Sequence, residues 1–163
     1  NPYQDNGIKL FGADGYKLSV EVELAIEAKL AQGFDKDRAA PDALGKASRL
    51  EDASGRYVEY VKNTIAGGRR FSGLTVALDC AHGAAYRVAP QILWELGAEV
   101  TELGTDPNGR NINAGVGATA PEALAQAVVE QGADIGIALD GDADRLIVVD
   151  QHGLVVDATK SWR

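Results

Sequence analysis

From Leu74 onward, short apolar runs alternate with stretches whose apolar residues recur every three or four positions, and that alternation confines this part of the chain to a sheet flanked by helices. Residues 74–79 (LTVALD) form a run of the kind buried inside a sheet. Ala85, Val88, Ala89, Ile92, Leu93 and Leu96 then make one helical face, which Gly97 ends. Pro90 conflicts with a regular helix there, because it lacks an N–H and clashes with the preceding turn, so the helix either starts late or kinks. Residues 99–103 predict a second strand, and a loop rich in Gly, Asn and Pro follows over 104–117. Thr119 and Glu122 have capping-box spacing for a helix through Gln131, with Gly132 beyond it. Ile135, Ile137 and Leu139 alternate as a third strand, 146–149 supply a fourth, and the turn 150–153 leads to a return strand over 154–157. This order implies right-handed crossovers and at least partly parallel pairing, so residues 73–157 are expected to form a compact α/β unit with a terminal hairpin.

The first seventy residues carry weaker signals. A short strand is expected over 7–11, with a turn at Asp14-Gly15. Ser19 is placed to cap a helix running to about Gln32, with Glu21 and Glu23 in its first turn and Val22, Ile26 and Leu30 on one stripe. Residues 35–54 predict irregular structure or short helices. A second helix over about 55–64 carries Tyr57, Val58 and Val61, Gly67-Gly68 end it, and 69–73 look like a domain boundary.

Composition narrows the function classes. The chain has 163 residues, 45% of them hydrophobic, yet no apolar run approaches the roughly 18 residues that a membrane helix needs. Sixteen Lys and Arg against 24 Asp and Glu give a net charge of −8, which argues against a nucleic-acid surface. The lone cysteine, Cys80, cannot form an internal disulfide and fits a buried thiol in a reducing, cytoplasmic setting. The opening Asn1-Pro2-Tyr3 has neither an initiator Met nor a signal-peptide pattern, so the expectation is a piece of a longer protein.

The chemistry concentrates in Asp140-Gly141-Asp142-Ala143-Asp144-Arg145, directly after the third expected strand. Three carboxylates at i, i+2 and i+4, separated only by Gly and Ala, can converge on one side of a tight loop. Their mutual repulsion makes a divalent cation the natural partner, and oxygen-only ligation suits Mg²⁺ or Mn²⁺. An EF-hand begun at Asp140 requires Gly and Glu where Arg145 and Gln151 stand. A D-x-D phosphatase nucleophile does not account for the third Asp. The bland alternative is a solvated acidic turn, which fits poorly after so apolar a run.

Three other features lead less far. Residues 115–120 match G-x-G-x-x-A, but a dinucleotide fingerprint must follow its strand immediately, and here some eleven loop residues intervene. Cys80 and His82 lack a second pair at zinc spacing. His152 falls in the expected turn, and structural roles are expected for both histidines.

The run Ala138-Leu139-Asp140-Gly141-Asp142-Ala143-Asp144-Arg145-Leu146 resembles the metal-binding loop of the α-D-phosphohexomutases. The opening Asn1-Pro2-Tyr3-Gln4-Asp5-Asn6-Gly7-Ile8-Lys9 is similar to the second half of that family's phosphoserine loop. Gly109-Arg110-Asn111-Ile112-Asn113 with Gly117-Ala118-Thr119 is similar to the bacterial phosphoglucosamine mutase branch. Together the resemblance covers residues 1 to about 157.

The resemblance implies an α/β fold, a three-layer mixed sheet with flanking helices, preceded by a partial α/β domain. Residues 1–70 would be the end of a first domain plus a connecting helix, 71–157 a second domain with the metal loop, and 158–163 an atypical tail. It implies an intramolecular phosphotransferase that interconverts glucosamine 6-phosphate and glucosamine 1-phosphate through a phosphoserine and a bisphosphate. Asp140, Asp142 and Asp144 would hold Mg²⁺, Arg145 would contact the phosphoserine, Lys9 would shuttle a proton, and Asn1 would belong to the phosphoserine loop. The expected partner is a phosphosugar, with no nucleic acid or membrane, and exposed apolar surface is compatible with a homo-oligomer. The family's serine would precede Asn1 and its third and fourth domains are not matched, so the 163 residues alone are expected to be inactive. Two alternatives stay open: a phosphomannomutase or phosphoglucomutase parent, and a non-enzymatic metal-binding module.

Overall fold

A computed structural model describes residues 2–5, 7–33 and 38–156. The chain divides into two compact units, residues 7–50 and residues 51–163 together with 1–6. The expected tail over 158–163, Asp157 and Asn1 lie outside the described residues.

In the smaller unit the expected strand over 7–11 reduces to one antiparallel bridge, Phe11 with Lys17. The turn at 12–15 closes through Gly12 N–H on the Tyr16 carbonyl at 2.8 Å and Tyr16 N–H on Asp14 Oδ1 at 3.0 Å. Among the described residues of this unit no further strand extends the pair, and a two-strand ribbon is marginal by itself. Helix α1 (Val20–Gln32) starts as expected: Ser19 Oγ accepts the Val22 N–H at 3.5 Å, and Gly33 N–H donates to the Leu30 carbonyl. Its apolar stripe is open, with Val22 and Leu30 exposed and no residue of α1 buried. Residues 38–50 are irregular apart from a 3-10 turn at Pro41–Ala43.

In the larger unit, α2 (Ala53–Asn63) buries Val58 and packs on α3 (Val88–Glu95). Lys62 of α2 bonds Glu95 of α3 as well as Glu59 one turn back. Five strands follow: β1 (Thr75–Asp79), β2 (Glu99–Leu103), β3 (Ile135–Leu139), β4 (Leu146–Asp150) and β5 (Val155–Val156), with α4 (Glu122–Gln131) between β2 and β3. Their order is β2-β1-β3-β4-β5; β1 is parallel to β2 and β3, whereas β3–β4 and β4–β5 are antiparallel. The mixed sheet and flanking helices are thus as expected.

The period-2 alternation of β1 explains the layering. Ala77 joins Leu124 and Val128 of α4, with Ala138 and Val149, on one face. Val76 and Leu78 join Cys80, Ala85 and Ala98 on the other, where α3 residues Ala89 and Leu93 pack. Helix α3 resolves the conflict over Pro90 by starting late. Pro90 is its third residue, within the first turn, where proline is tolerated.

The expected capping box does not form. Helix α4 starts at Glu122 behind Pro121, without a side-chain cap, and Thr119 is exposed. The backbone around Thr119 is instead committed elsewhere: Ala118 N–H donates to the Leu139 carbonyl of β3 at 2.9 Å, and Ala120 N–H closes a turn on the Gly117 carbonyl. The C-terminal end of α4 follows expectation, with Gly132 left-handed at φ 63°.

Candidate metal centre

β1, β2 and β3 run parallel, so the loops that leave them gather at one sheet edge, the usual place for a site in an α/β sheet. The loop after β3, residues 140–145, joins β3 to its antiparallel neighbour β4 and is therefore anchored at both ends. Asp140 N–H donates to the Arg145 carbonyl at 3.2 Å, and Ala143 N–H to the Asp140 carbonyl at 3.0 Å. Ala143 makes the turn with φ 60°, a region that costs a non-glycine residue energy and is frequent at functional sites.

Within this loop Asp140 is the buried carboxylate. Its Oδ1 accepts the Asp144 and Arg145 N–H groups at 3.1 Å each, and its Oδ2 accepts Arg145 Nε–H at 2.8 Å. Burial alone pushes this carboxyl up, but the Arg145 amide, the guanidinium and the Asp144 amide outweigh it and hold the carboxyl below its ordinary value. In turn the bond to Asp140 pushes the exposed Arg145 guanidinium further up from its ordinary value. Asp142 and Asp144 are exposed, and one carboxylate oxygen from each of Asp140, Asp142 and Asp144 lies within 4.8 Å of the other two.

That donor set fits a hard divalent cation: three carboxylate oxygens converge, and the buried one is held in place by backbone amides. Asp140 makes three hydrogen bonds where a carboxylate has about four acceptor sites, so it retains capacity for a ligand. Of the other expected site residues, Arg145 is in the same loop. Lys9 belongs to the unit 7–50, where it lines an open groove with Ile8, Phe11, Leu18, Ile26 and Glu27.

The neighbouring loops buttress the metal loop through their backbones. Ala84 N–H donates to the Gly141 carbonyl at 2.9 Å, and Gly83 approaches that carbonyl so closely that a Cβ on it would overlap the oxygen. The G-x-G-x-x-A stretch is spent inside this framework: Gly117, at φ 82°, gives its N–H to Asp79 Oδ2 at 2.6 Å. His82 accepts the Asp106 N–H on Nδ1 at 3.2 Å, and His152 N–H donates to Asp150 Oδ1 in the β4–β5 turn. Asp79, a buried carboxylate, closes β1 and is not among the residues expected at the site. The signal was visible as an acid in the last position of the run 74–79.

Comparison with known proteins adds the family. Residues 55–153 match the family described as phosphoglucomutase/phosphomannomutase, alpha/beta/alpha domain II. The chain belongs to the phosphoglucomutase/phosphomannomutase family. The stretch that matches this family's domain II contains the whole sheet up to the β4–β5 turn and the whole of the 140–145 loop. The chain is 57% identical to a phosphoglucosamine mutase of Rhodospirillum rubrum over 157 residues, covering 96% of this chain and 35% of that protein. It is 60% identical to a phosphoglucosamine mutase of Granulibacter bethesdensis over 157 residues, covering 96% of this chain and 34% of the relative. The chain thus spans about a third of the length of these curated relatives. A crystal structure of a phosphoglucomutase/phosphomannomutase family protein from Burkholderia thailandensis superposes with a TM-score of 0.53 at 32% identity, covering 63% of this chain and 22% of that one.

Proposed function

We propose that these residues form the metal-binding part of a phosphoglucosamine mutase, an enzyme that interconverts glucosamine 6-phosphate and glucosamine 1-phosphate through a phosphoserine and a sugar bisphosphate. Identity of 57% and 60% to phosphoglucosamine mutases supports this over a mannose- or glucose-phosphate enzyme. The observation that carries the chemistry is the convergence of the Asp140, Asp142 and Asp144 carboxylates on a loop anchored at both ends. In this proposal residues 1–70 end a first domain and lead through α2 into the second, residues 71–157.

Asp140, Asp142 and Asp144 would hold Mg²⁺, which would supply charge neutralisation to the phosphoryl oxygens. Arg145 is oriented by Asp140 through Nε, which leaves the Nη edge of an exposed guanidinium to meet a phosphate with the fork geometry that a Lys lacks. Lys9 moves a proton between the phosphoserine and the sugar hydroxyl, and Asn1 belongs to the phosphoserine loop. The backbone bonds from Ala84 and Ala118 keep the loop preorganised, so that little reorganisation accompanies transfer. An enzyme of this class works in the cytoplasm, and among the described residues no helix is long and apolar enough to cross a membrane.

The test is turnover by the full-length protein that carries this chain, offered glucosamine, mannose and glucose phosphates in turn. Preference for the glucosamine esters, lost in an Asp140→Ala, Asp142→Ala, Asp144→Ala variant, is the expected result. Preference for mannose or glucose phosphates would assign it to the other branch, and full activity of the triple variant would refute the metal role.

A further inference from the structure

We propose that Asp79 is a positioning residue for the metal loop, tying together the two neighbouring loops that hold the peptide groups on either side of Asp140. This inference rests on the metal reading of the 140–145 loop.

Asp79 is fully buried at the last position of β1 and is not one of the converging carboxylates. A buried carboxylate is costly unless its oxygens are satisfied, and here both are. Oδ1 accepts the Ala81 N–H at 2.9 Å and Oδ2 accepts the Gly117 N–H at 2.6 Å. The first bond fixes the turn after β1, where Ala81 and His82 both sit at positive φ, 55° and 49°. The second fixes the end of the 104–117 loop, thirty-eight residues away in sequence. Gly104 leaves room for the carboxylate, since a Cβ there would lie 2.6 Å from Asp79 Oδ1.

Each tied loop reaches the metal loop through one backbone bond. From the turn after β1, Ala84 N–H donates to the carbonyl of Gly141, just after Asp140; from the other loop, Ala118 N–H donates to the carbonyl of Leu139, just before it. The two loops are also bonded to each other, Asn113 N–H to the Ala81 carbonyl at 2.9 Å. The Asp79 carboxylate therefore sits at the junction of a closed set of bonds that ends on the carbonyls of Leu139 and Gly141, the residues flanking Asp140. A carboxylate fits this junction because it accepts from two separate N–H groups and offers no donor to either.

The experiment is Mn²⁺ binding to the 163-residue chain by electron paramagnetic resonance, comparing wild type with Asp79→Asn, Asp140→Asn and Asp150→Asn. Asp79→Asn preserves size but turns an amide N–H₂ toward a backbone N–H, so one of the two bonds is lost. The expected result is a roughly 10-fold or greater rise in the Mn²⁺ Kd, the scale on which a partner behind the ligands acts, while Asp150→Asn binds as wild type. A purely structural Asp79 would lower thermal stability and leave the Kd of the folded fraction unchanged, which overturns the proposal alone. Wild type indistinguishable from Asp140→Asn overturns the metal reading and this inference with it. Amide spectra of wild type decide the matter even where Asp79→Asn fails to fold. Saturating Mg²⁺ should shift Ala81 and Gly117 together with 140–145, because coupling between the clamp and the ion is reciprocal. Shifts confined to 140–145 would overturn the role given to Asp79.

Discussion

Arg145 Nε donates to Asp140 Oδ2 at 2.8 Å and lies 3.7 Å from Asp144 Oδ1, so the exposed cation braces the buried carboxylate of its own loop. Replacing Arg145 with Met leaves Asp140 with its two amide donors and no counter-charge. The urea midpoint of the 163-residue chain is expected to fall modestly, because solvent screens the exposed partner. Arg145→Lys should recover only part of the loss, since an ammonium on a flexible stem does not reproduce a fixed Nε–H. Equal midpoints for all three proteins would show that the brace contributes nothing to the fold.

Gly136, in the middle of β3, carries the tightest packing constraint of the α4 face. A Cβ at this position would lie 2.6 Å from Val128 Cγ2 and 3.1 Å from both Leu124 Cγ and Val149 Cβ. Gly136→Ala is expected to destabilise the chain by about 1–3 kcal/mol through overpacking. Leu124→Ala, which empties the same contact, should cost about 2–5 kcal/mol. Both are read from chemical denaturation, and a neutral Gly136→Ala would mean that α4 shifts freely on the sheet.

The β4–β5 turn depends on an ionised Asp150. Its Oδ1 accepts the Leu154 and His152 N–H groups at 2.9 Å each, and these bonds, the Leu154 one first, hold the carboxyl below its ordinary value of 3.8. A depressed folded-state pKa means that the stabilisation is fully present above the unfolded value and is lost as pH falls through the folded one. The turn should therefore keep its amide protection at pH 5 and lose it only below about 3.8. Carboxyl titration by NMR provides the check: a midpoint at or above 3.8 contradicts it, as does an unchanged turn in Asp150→Ala.

Cys80 lies in the core against α3, and burial, with the charges of Asp79 and Glu102, pushes its thiol up to about 12. At pH 8 its thiolate fraction is lower than that of a free cysteine by about 10³. Labelling by a thiol reagent should be slower by that factor in the folded chain and reach the free-cysteine rate in urea. Rapid labelling without denaturant would place Cys80 outside the core.

Much of the larger unit was legible because its apolar periods are strong. Residues 74–79 form a buried-type apolar run, 99–103 predict a second strand and 135–139 alternate, and the structure contains β1, β2 and β3 there. The metal loop was legible for a different reason, since three acids spaced by Gly and Ala have few other uses. Local signals failed where a competing long-range bond existed. Thr119 and Glu122 carry capping-box spacing, yet the Ala118 amide is engaged by Leu139 on β3, and Thr119 caps nothing. Residues 7–11 alternate like a strand, yet the pairing there is a single bridge from Phe11 to Lys17.

The sequence by itself determined where the strands and helices of the larger unit lie, and which three carboxylates could meet, because hydrophobic period and residue spacing are local properties. The tertiary structure alone decided that Pro90 falls in the first turn of α3, that the G-x-G-x-x-A amides serve the sheet edge, and that Asp79 joins the loops around Asp140. Those outcomes depend on which buried N–H meets which carbonyl or carboxylate across tens of residues, and burial penalises every group left without a partner.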